Sequence, residues 1–401
     1  MRRVLRSAPN RSAAVGHGRS LVPRLRCFSD AAAISTPTTP TTAVTATPPK
    51  PAKNASASSF TPRAHFEAGN ITTSFFLGHH KAGLHRMKEM VGSVELIIEC
   101  RDYRVPLSSR NPLFEETLQG KERVVVYTKR DLGMEVLDEK TRDIMARWHY
   151  PHKVMFSDMA NRNDIRQIIE HAQEVAHAHD SIIGTRVLIV GMPNVGKSTL
   201  LNALRRVGTG SSTKAAQTGG QPGITRKLSN TVKISDPSRH KNDPLIYVID
   251  SPGVFVPYMP NPLTMLKLAL VGSVKDSLVP TLTLADFLLF KLNIEDPGLY
   301  REWSPPTNNV LDFLRNAAMR TGKLVKGGEP DYDAVAIWLI ARYRAGLLGR
   351  FILDEVKEGG LEEWLSGEGK TVESETAARG RVRKEKIETR KKRRAGLESD
   401  V

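Results

Sequence analysis

The residues best suited to chemistry are Gly191-Met192-Pro193-Asn194-Val195-Gly196-Lys197-Ser198-Thr199, a GxxxxGKS phosphate loop. Its glycines let the backbone turn tightly enough for successive N–H groups to face phosphate oxygens, and the positive end of the following helix adds attraction. Lys197 is placed to bridge the β- and γ-phosphates and Ser198 to offer its hydroxyl to Mg²⁺, with Asn194, Val195, Gly196 and Thr199 completing the lining. A DxxG box, Asp250-Ser251-Pro252-Gly253, follows later in the chain. Asp250 would hold Mg²⁺ through water, and the Gly253 N–H would sense the γ-phosphate. Between them a polar, Gly-rich stretch leads to Gln221-Pro222-Gly223-Ile224-Thr225. Thr225 is the hydroxyl that a mobile loop would deliver to the same ion, its order depending on the γ-phosphate.

A base-reading box precedes the phosphate loop. Thr128-Lys129-Arg130-Asp131 resembles NKxD. A carboxylate at Asp131 can accept from both guanine N1–H and the 2-amino group, while adenine offers neither donor, so such a site discriminates strongly. Thr128 replaces the usual Asn and is expected to supply only part of the bracing between base loop and phosphate loop. Ser157-Asp158 falls where a second base-contacting loop belongs, and reads equally well as a helix N-cap. In an ordinary GTPase these boxes follow DxxG, so the reversed order implies a circular permutation. The break leads the chain from the switch strand straight into the residues after 260.

These side chains need a scaffold that brings distant loops to one edge. Apolar runs at 94–100, 123–128, 153–157, 186–190 and 245–249 read as strands, and 164–177 as a helix among others between them. Apolar strands alternating with helices argue for a parallel sheet covered on both faces. The expected class is α/β: a circularly permuted P-loop GTPase domain over 66–270, then a small all-helical domain over 271–365. Within the latter, 309–319 and 333–348 read as amphipathic helices, the second bearing Trp338, Arg342, Tyr343 and Arg344. The aromatics suit a core and the arginines a solvated face, direct RNA contact by any one of them being the other reading.

Composition restricts the alternatives. The 401 residues carry a formal charge of +16, yet residues 1–29 hold seven Arg and no acid. Residues 379–394 hold ten Lys/Arg against Glu385 and Glu388, which leaves about +1 for everything else. The basicity sits at the ends, so charge alone does not make the middle a nucleic-acid binder. The basic, Ser-containing start without a continuous apolar core is expected to be a mitochondrial transit peptide (1–29), the alternative being a basic arm. An Ala/Thr/Ser/Pro-rich flexible linker (30–65) follows, and a basic disordered tail (366–401) ends the chain. No apolar run reaches the roughly 18–20 residues needed to cross a bilayer. Of the two cysteines, Cys27 lies in the expected transit peptide, leaving Cys100 unpaired as befits a reducing compartment.

The sequence resembles the circularly permuted YlqF-type GTPases that assemble the large ribosomal subunit, mitochondrial members included. The resemblance covers roughly residues 75–350. It rests on the FxGHxxxGLxxM-like run 76–87, DxRxPxSSRNP at 102–112, the permuted boxes, PGITR at 222–226, DSPG, KGGxxDYD at 326–333 and YRxGxLG at 343–349. It implies a GTPase that docks on a late large-subunit precursor in the mitochondrial matrix, touches its rRNA and leaves after hydrolysis. A monomer is expected, with a peripheral inner-membrane association through the basic charges as a further option. Val254 follows DxxG where many GTPases place a water-orienting Gln, and the family pattern puts a His at position 79. His79 is the implied catalytic group, packing of the first helix being the other reading. By the same resemblance Asn194 matches a phosphate-loop Asn that helps hold K⁺. Two rivals remain: a nucleotide-gated rRNA scaffold with negligible hydrolysis, and a relative serving nuclear or cytosolic ribosomes.

Overall fold

A computed structural model describes residues 60–69, 71, 78–133, 138–179, 183–211, 213, 216, 231–238, 241–255 and 261–367, with backbone alone at 78–82 and 116. The expected transit peptide, most of the linker, Thr225 and the basic tail lie outside the described residues.

The chain runs α1 (Gly78–Val91), β1 (Leu96–Asp102), α2 (Pro112–Thr117), β2 (Glu122–Thr128), α3 (Glu139–Arg147), β3 (Lys153–Phe156), α4 (Arg162–His179) and β4 (Thr185–Gly191). Then come α5 (Lys197–Thr209), β5 (Val232–Ser235), β6 (Ile246–Asp250), α6 (Pro262–Leu270), α7 (Thr281–Glu295), α8 (Val310–Thr321), α9 (Tyr332–Arg344) and α10 (Gly360–Ser366). The six strands form one sheet in the order β3-β2-β1-β4-β6-β5. All neighbours are parallel except β5, which pairs antiparallel with β6. Register sets Asp102 beside Thr128 and Cys100 beside Gly191, so β1, β2 and β4 deliver their last residues to the same edge.

Alternation along the strands sorts the core. Leu96, Ile98, Val124, Val126, Val187 and Ile189 face α4 and α5, whereas Ile97, Leu188 and Val190 face Met87 of α1 and Phe114 of α2. Val125 and Tyr127 pack on Met145 of α3. Both faces are covered, as near-continuous apolar strands require. The larger cluster continues from the sheet through α6 into α7, α8 and α9. Nine of the fifteen residues of α7 (TLTLADFLLFKLNIE) are apolar and lie around the helix, which packs against α6, α8 and α9.

Helix starts follow local chemistry. Asn111 and Asn261 each accept the N–H two residues on, with Pro at the first helical position, and Asn309 caps α8 in the same way. Helix α9 is less amphipathic than expected. Val335, Ala336, Leu339, Ile340 and Tyr343 are buried while Ile337 is exposed, so apolar residues run around it. The end of the expected linker is docked: Arg63 pairs with Asp286 of α7 at 2.6 Å and its N–H reaches Asn308 at 3.2 Å. Phe66 packs edge-on against Phe287.

Candidate nucleotide-binding site

The phosphate loop leaves β4 at Gly191 and enters α5 through Gly196, which has φ +98° and so suits glycine alone among the common residues. Lys197 is buried and donates to the Met192 carbonyl at 2.7 Å, folding over the loop. Ser198 donates to Asp250 Oδ2 at 2.5 Å. Burial pushes the Asp250 carboxyl above its ordinary value, against the pull of Lys197 and Ser198, and burial likewise lowers Lys197 against the pull of Asp250. A hydroxyl and a buried carboxylate at a phosphate loop form a hard-oxygen set that fits Mg²⁺, which takes few protein ligands and completes its shell with phosphate and water. Gly253 presses on the same loop: a Cβ there would lie 2.7 Å from Pro193 Cα. The Val254 N–H bonds the Gly191 carbonyl at 3.3 Å.

The base-reading box is tied to this loop. Thr128 Oγ1 donates to the Val195 carbonyl and lies 3.1 Å from that of Arg101. Lys129 donates to the Asn194 carbonyl at 2.6 Å and to Asp102 at 2.8 Å. Thr128 thus braces the two loops through its single hydroxyl. Asp131 sits on a single 3₁₀ turn, Arg130–Leu132, with its side chain toward solvent. Burial and the neighbouring Asp158 raise its carboxyl above the usual range. The Ser157 carbonyl accepts the Arg130 N–H at 3.3 Å, which brings the 157–158 loop beside Asp131. Ser157-Asp158 is not the cap of α4, because Asn161 Oδ1 accepts the Asn163 N–H at 2.9 Å. Asp164, in the first turn of α4, instead holds both Arg130 at 2.9 Å and the Asp158 N–H at 2.8 Å.

Two expected contributors are placed in part. His79 lies in α1 one helical turn before Gly83, and its side chain is outside the described residues. Gly83 itself packs on DxxG, a Cβ there falling 3.4 Å from Val254 Cγ2. Val254 points into the apolar cluster around Met87 and Ile97 rather than toward the cradle. The Asn194 amide donates to the Gly272 carbonyl at 2.8 Å, beyond the end of α6.

Sequence reasoning missed the buried charges behind the site. Asp102, fully buried, binds Arg104 through both oxygens, at 3.0 and 2.8 Å. Asn111, besides capping α2, donates to the Val254 carbonyl at 2.9 Å. Asp354 takes the Leu107 and Ser108 N–H groups at 2.9 and 2.8 Å and pairs with Lys267 at 3.1 Å. All belong to the DxRxPxSSRNP run or its partners, whose spacing announced a motif but not what it would bind.

A profile described as 50S ribosome-binding GTPase matches residues 186–321. Mitochondrial GTPase 1 of Schizosaccharomyces japonicus is 35% identical over 312 residues, covering 73% of this chain and 92% of its own. The chain belongs to the mitochondrial GTPase 1 family. Among its members, mitochondrial ribosome-associated GTPase 1 of Bos taurus is 34% identical over 305 residues, 71% of this chain and 90% of its own. A GDP-bound YlqF structure aligns with a TM-score of 0.46 at 21% identity, covering 68% of this chain and 99% of that one, and GNP-bound YlqF from T. maritima aligns with 0.45 at 22%, covering 68% and 97%. As a member of the mitochondrial GTPase 1 family the protein is a GTPase that binds guanine nucleotide.

Proposed function

We propose that this GTPase acts in mitochondria on the large ribosomal subunit, binding a precursor particle and leaving after GTP hydrolysis. Mitochondrial and ribosome-associated are words in the names of its relatives, and the matching profile is that of a 50S-binding GTPase. One observation carries the assignment of the site: Thr128 and Lys129 bond the Val195 and Asn194 carbonyls, so a base box encoded early and a phosphate loop encoded late share one cradle. This supports a circularly permuted GTPase domain, with the described helices after residue 271 as the particle-facing part.

In this reading Lys197 and the loop N–H groups of Asn194 to Thr199 hold the phosphates, and Asp131, with Lys129 and the Ser157 loop, holds guanine. Ser198 and Asp250, joined by Thr225, would hold Mg²⁺, which when bound neutralises charge on the phosphate oxygens. Gly253 offers its N–H to the γ-phosphate. By the family resemblance Asn194, whose amide donates to the Gly272 carbonyl, would help hold K⁺. Val254 is committed to the core and cannot orient water, and by the family resemblance His79, on the helix packed against DxxG, takes that task. The protein works as a monomer in the matrix, and its basic ends supply sequence-blind attraction to rRNA or to the anionic inner membrane.

The test is a turnover assay of the purified chain with GTP or ATP, with and without isolated large subunits. Strong guanine preference and particle-stimulated phosphate release are expected. Equal use of ATP removes the base-site assignment, and a rate indifferent to the particle removes the ribosomal one.

A further inference from the structure

We propose that Asp102 is a positioning residue for nucleotide binding: it holds the Lys129 ammonium against the Asn194 carbonyl, so one buried carboxylate sets the base loop relative to the phosphate loop. The inference rests on the assignment of those two loops to a single nucleotide. Asp102 ends β1, the strand between β2, which leads to Lys129, and β4, which leads to Asn194. Among the described strands no other touches both. Its Oδ1 accepts the Arg104 N–H and Nε–H at 3.1 and 3.0 Å, and its Oδ2 accepts Arg104 Nη2 and Lys129 Nζ, each at 2.8 Å.

Lys129 has three donors. One goes to Asp102 at 2.8 Å and one to the Asn194 carbonyl at 2.6 Å. Both Lys129 and Asn194 have φ of +57°, a left-handed conformation that non-glycine residues keep only when held there. The Lys129–Asn194 bond joins these two strained points, and Asp102 fixes the side chain that makes it. Burial disfavours charge on both partners. The Asp102 carboxyl nevertheless stays well below the usual range because Arg104 and Lys129 outweigh that burial. Arg104 is the second cation on this carboxylate and reaches the Val271 carbonyl at 3.4 Å, next to the Gly272 carbonyl that takes the Asn194 amide. The same carboxylate is therefore joined to the phosphate loop by one cation and to the segment after α6 by the other.

If Asp102 merely anchored the fold, its loss would act independently of Lys129. A double-mutant cycle on the full chain decides, using the dissociation rate of methylanthraniloyl-GDP. That rate is read only from molecules that have bound nucleotide, so a smaller folded fraction changes its amplitude and not its value. Asp102→Asn and Lys129→Met are each expected to speed release about tenfold, and Asp102→Asn with Lys129→Met no more than about threefold beyond either. Should Asp102→Asn not fold with Arg104 left uncompensated, Asp102→Asn with Arg104→Met replaces it, because a buried ion pair can give way to neutral groups. Release within twofold of the parent in the Asp102 variant, or effects that multiply to about a hundredfold, overturn the proposal. A parent chain that binds methylanthraniloyl-ADP as tightly removes the guanine assignment but leaves the cycle readable on either nucleotide. A parent that binds neither overturns both.

Discussion

Asp131 carries the choice of base in the proposed site, and its solvent-facing carboxylate on a single turn is free to close on a ligand. Asp131→Asn is expected to lower the preference for GTP over ATP by about a hundredfold or more, measured by competition binding. His149 allows a second prediction, about stability. Burial pushes its pKa well below the usual imidazole value, and Arg101, Arg110 and Arg123 add to the effect. Neutral His149 stands 2.7 Å from the Tyr127 hydroxyl. Below a pH of about 6.5 the unfolded chain takes up a proton that the folded chain refuses, so stability present above that pH is lost as pH falls. The urea midpoint of the parent should therefore decline from pH 7 to 5.5, and that of His149→Gln should decline less.

Elements hold the site by close approach. Gly253 leaves no room for a Cβ beside the Pro193 backbone, so Gly253→Ala should displace the phosphate loop and cut GTP turnover at least about tenfold. Circular dichroism separates that loss from unfolding. Arg344 of α9 donates to the Leu270 and Ala269 carbonyls at 3.0 and 2.8 Å and pairs with Asp276 at 2.6 Å. Arg344→Ala should cost about 1 kcal/mol in denaturant unfolding, most of it from the Leu270 carbonyl left without a donor, since the Ala269 carbonyl keeps the Gly272 N–H. Five of the six strands were legible to within two residues, because VVVY or VLIV admits little but a buried strand. Strand β5 was not, since Val232–Ser235 shows only four residues of alternation between polar turns. The phosphate loop, the base box and DxxG could be read from spacing. Asp102, Asn111 and Asp354 could not be assigned, because their partners lie from two to more than 240 residues away and only folding brings them together. Arg344 had been open to an RNA-facing reading, and its guanidinium is instead largely committed to the protein's own backbone.

Across the whole molecule the charge is concentrated at the ends, with 379–394 carrying ten Lys/Arg and two Glu. Deleting 379–394 should reduce the slope of log affinity for isolated large subunits against log salt concentration by several units, while leaving turnover without particles unchanged. The sheet has a further consequence for how the protein is made. A polypeptide that is threaded or synthesised from its N-terminus presents β1, β2 and β3 first, and one flank of β1 then has no neighbour until residues 185–191 arrive. Such an uncovered strand edge is a template for mispairing. In the proposed site guanine nucleotide needs loops from both halves, so its capture marks completion, and from then on it favours the closed chain by mass action.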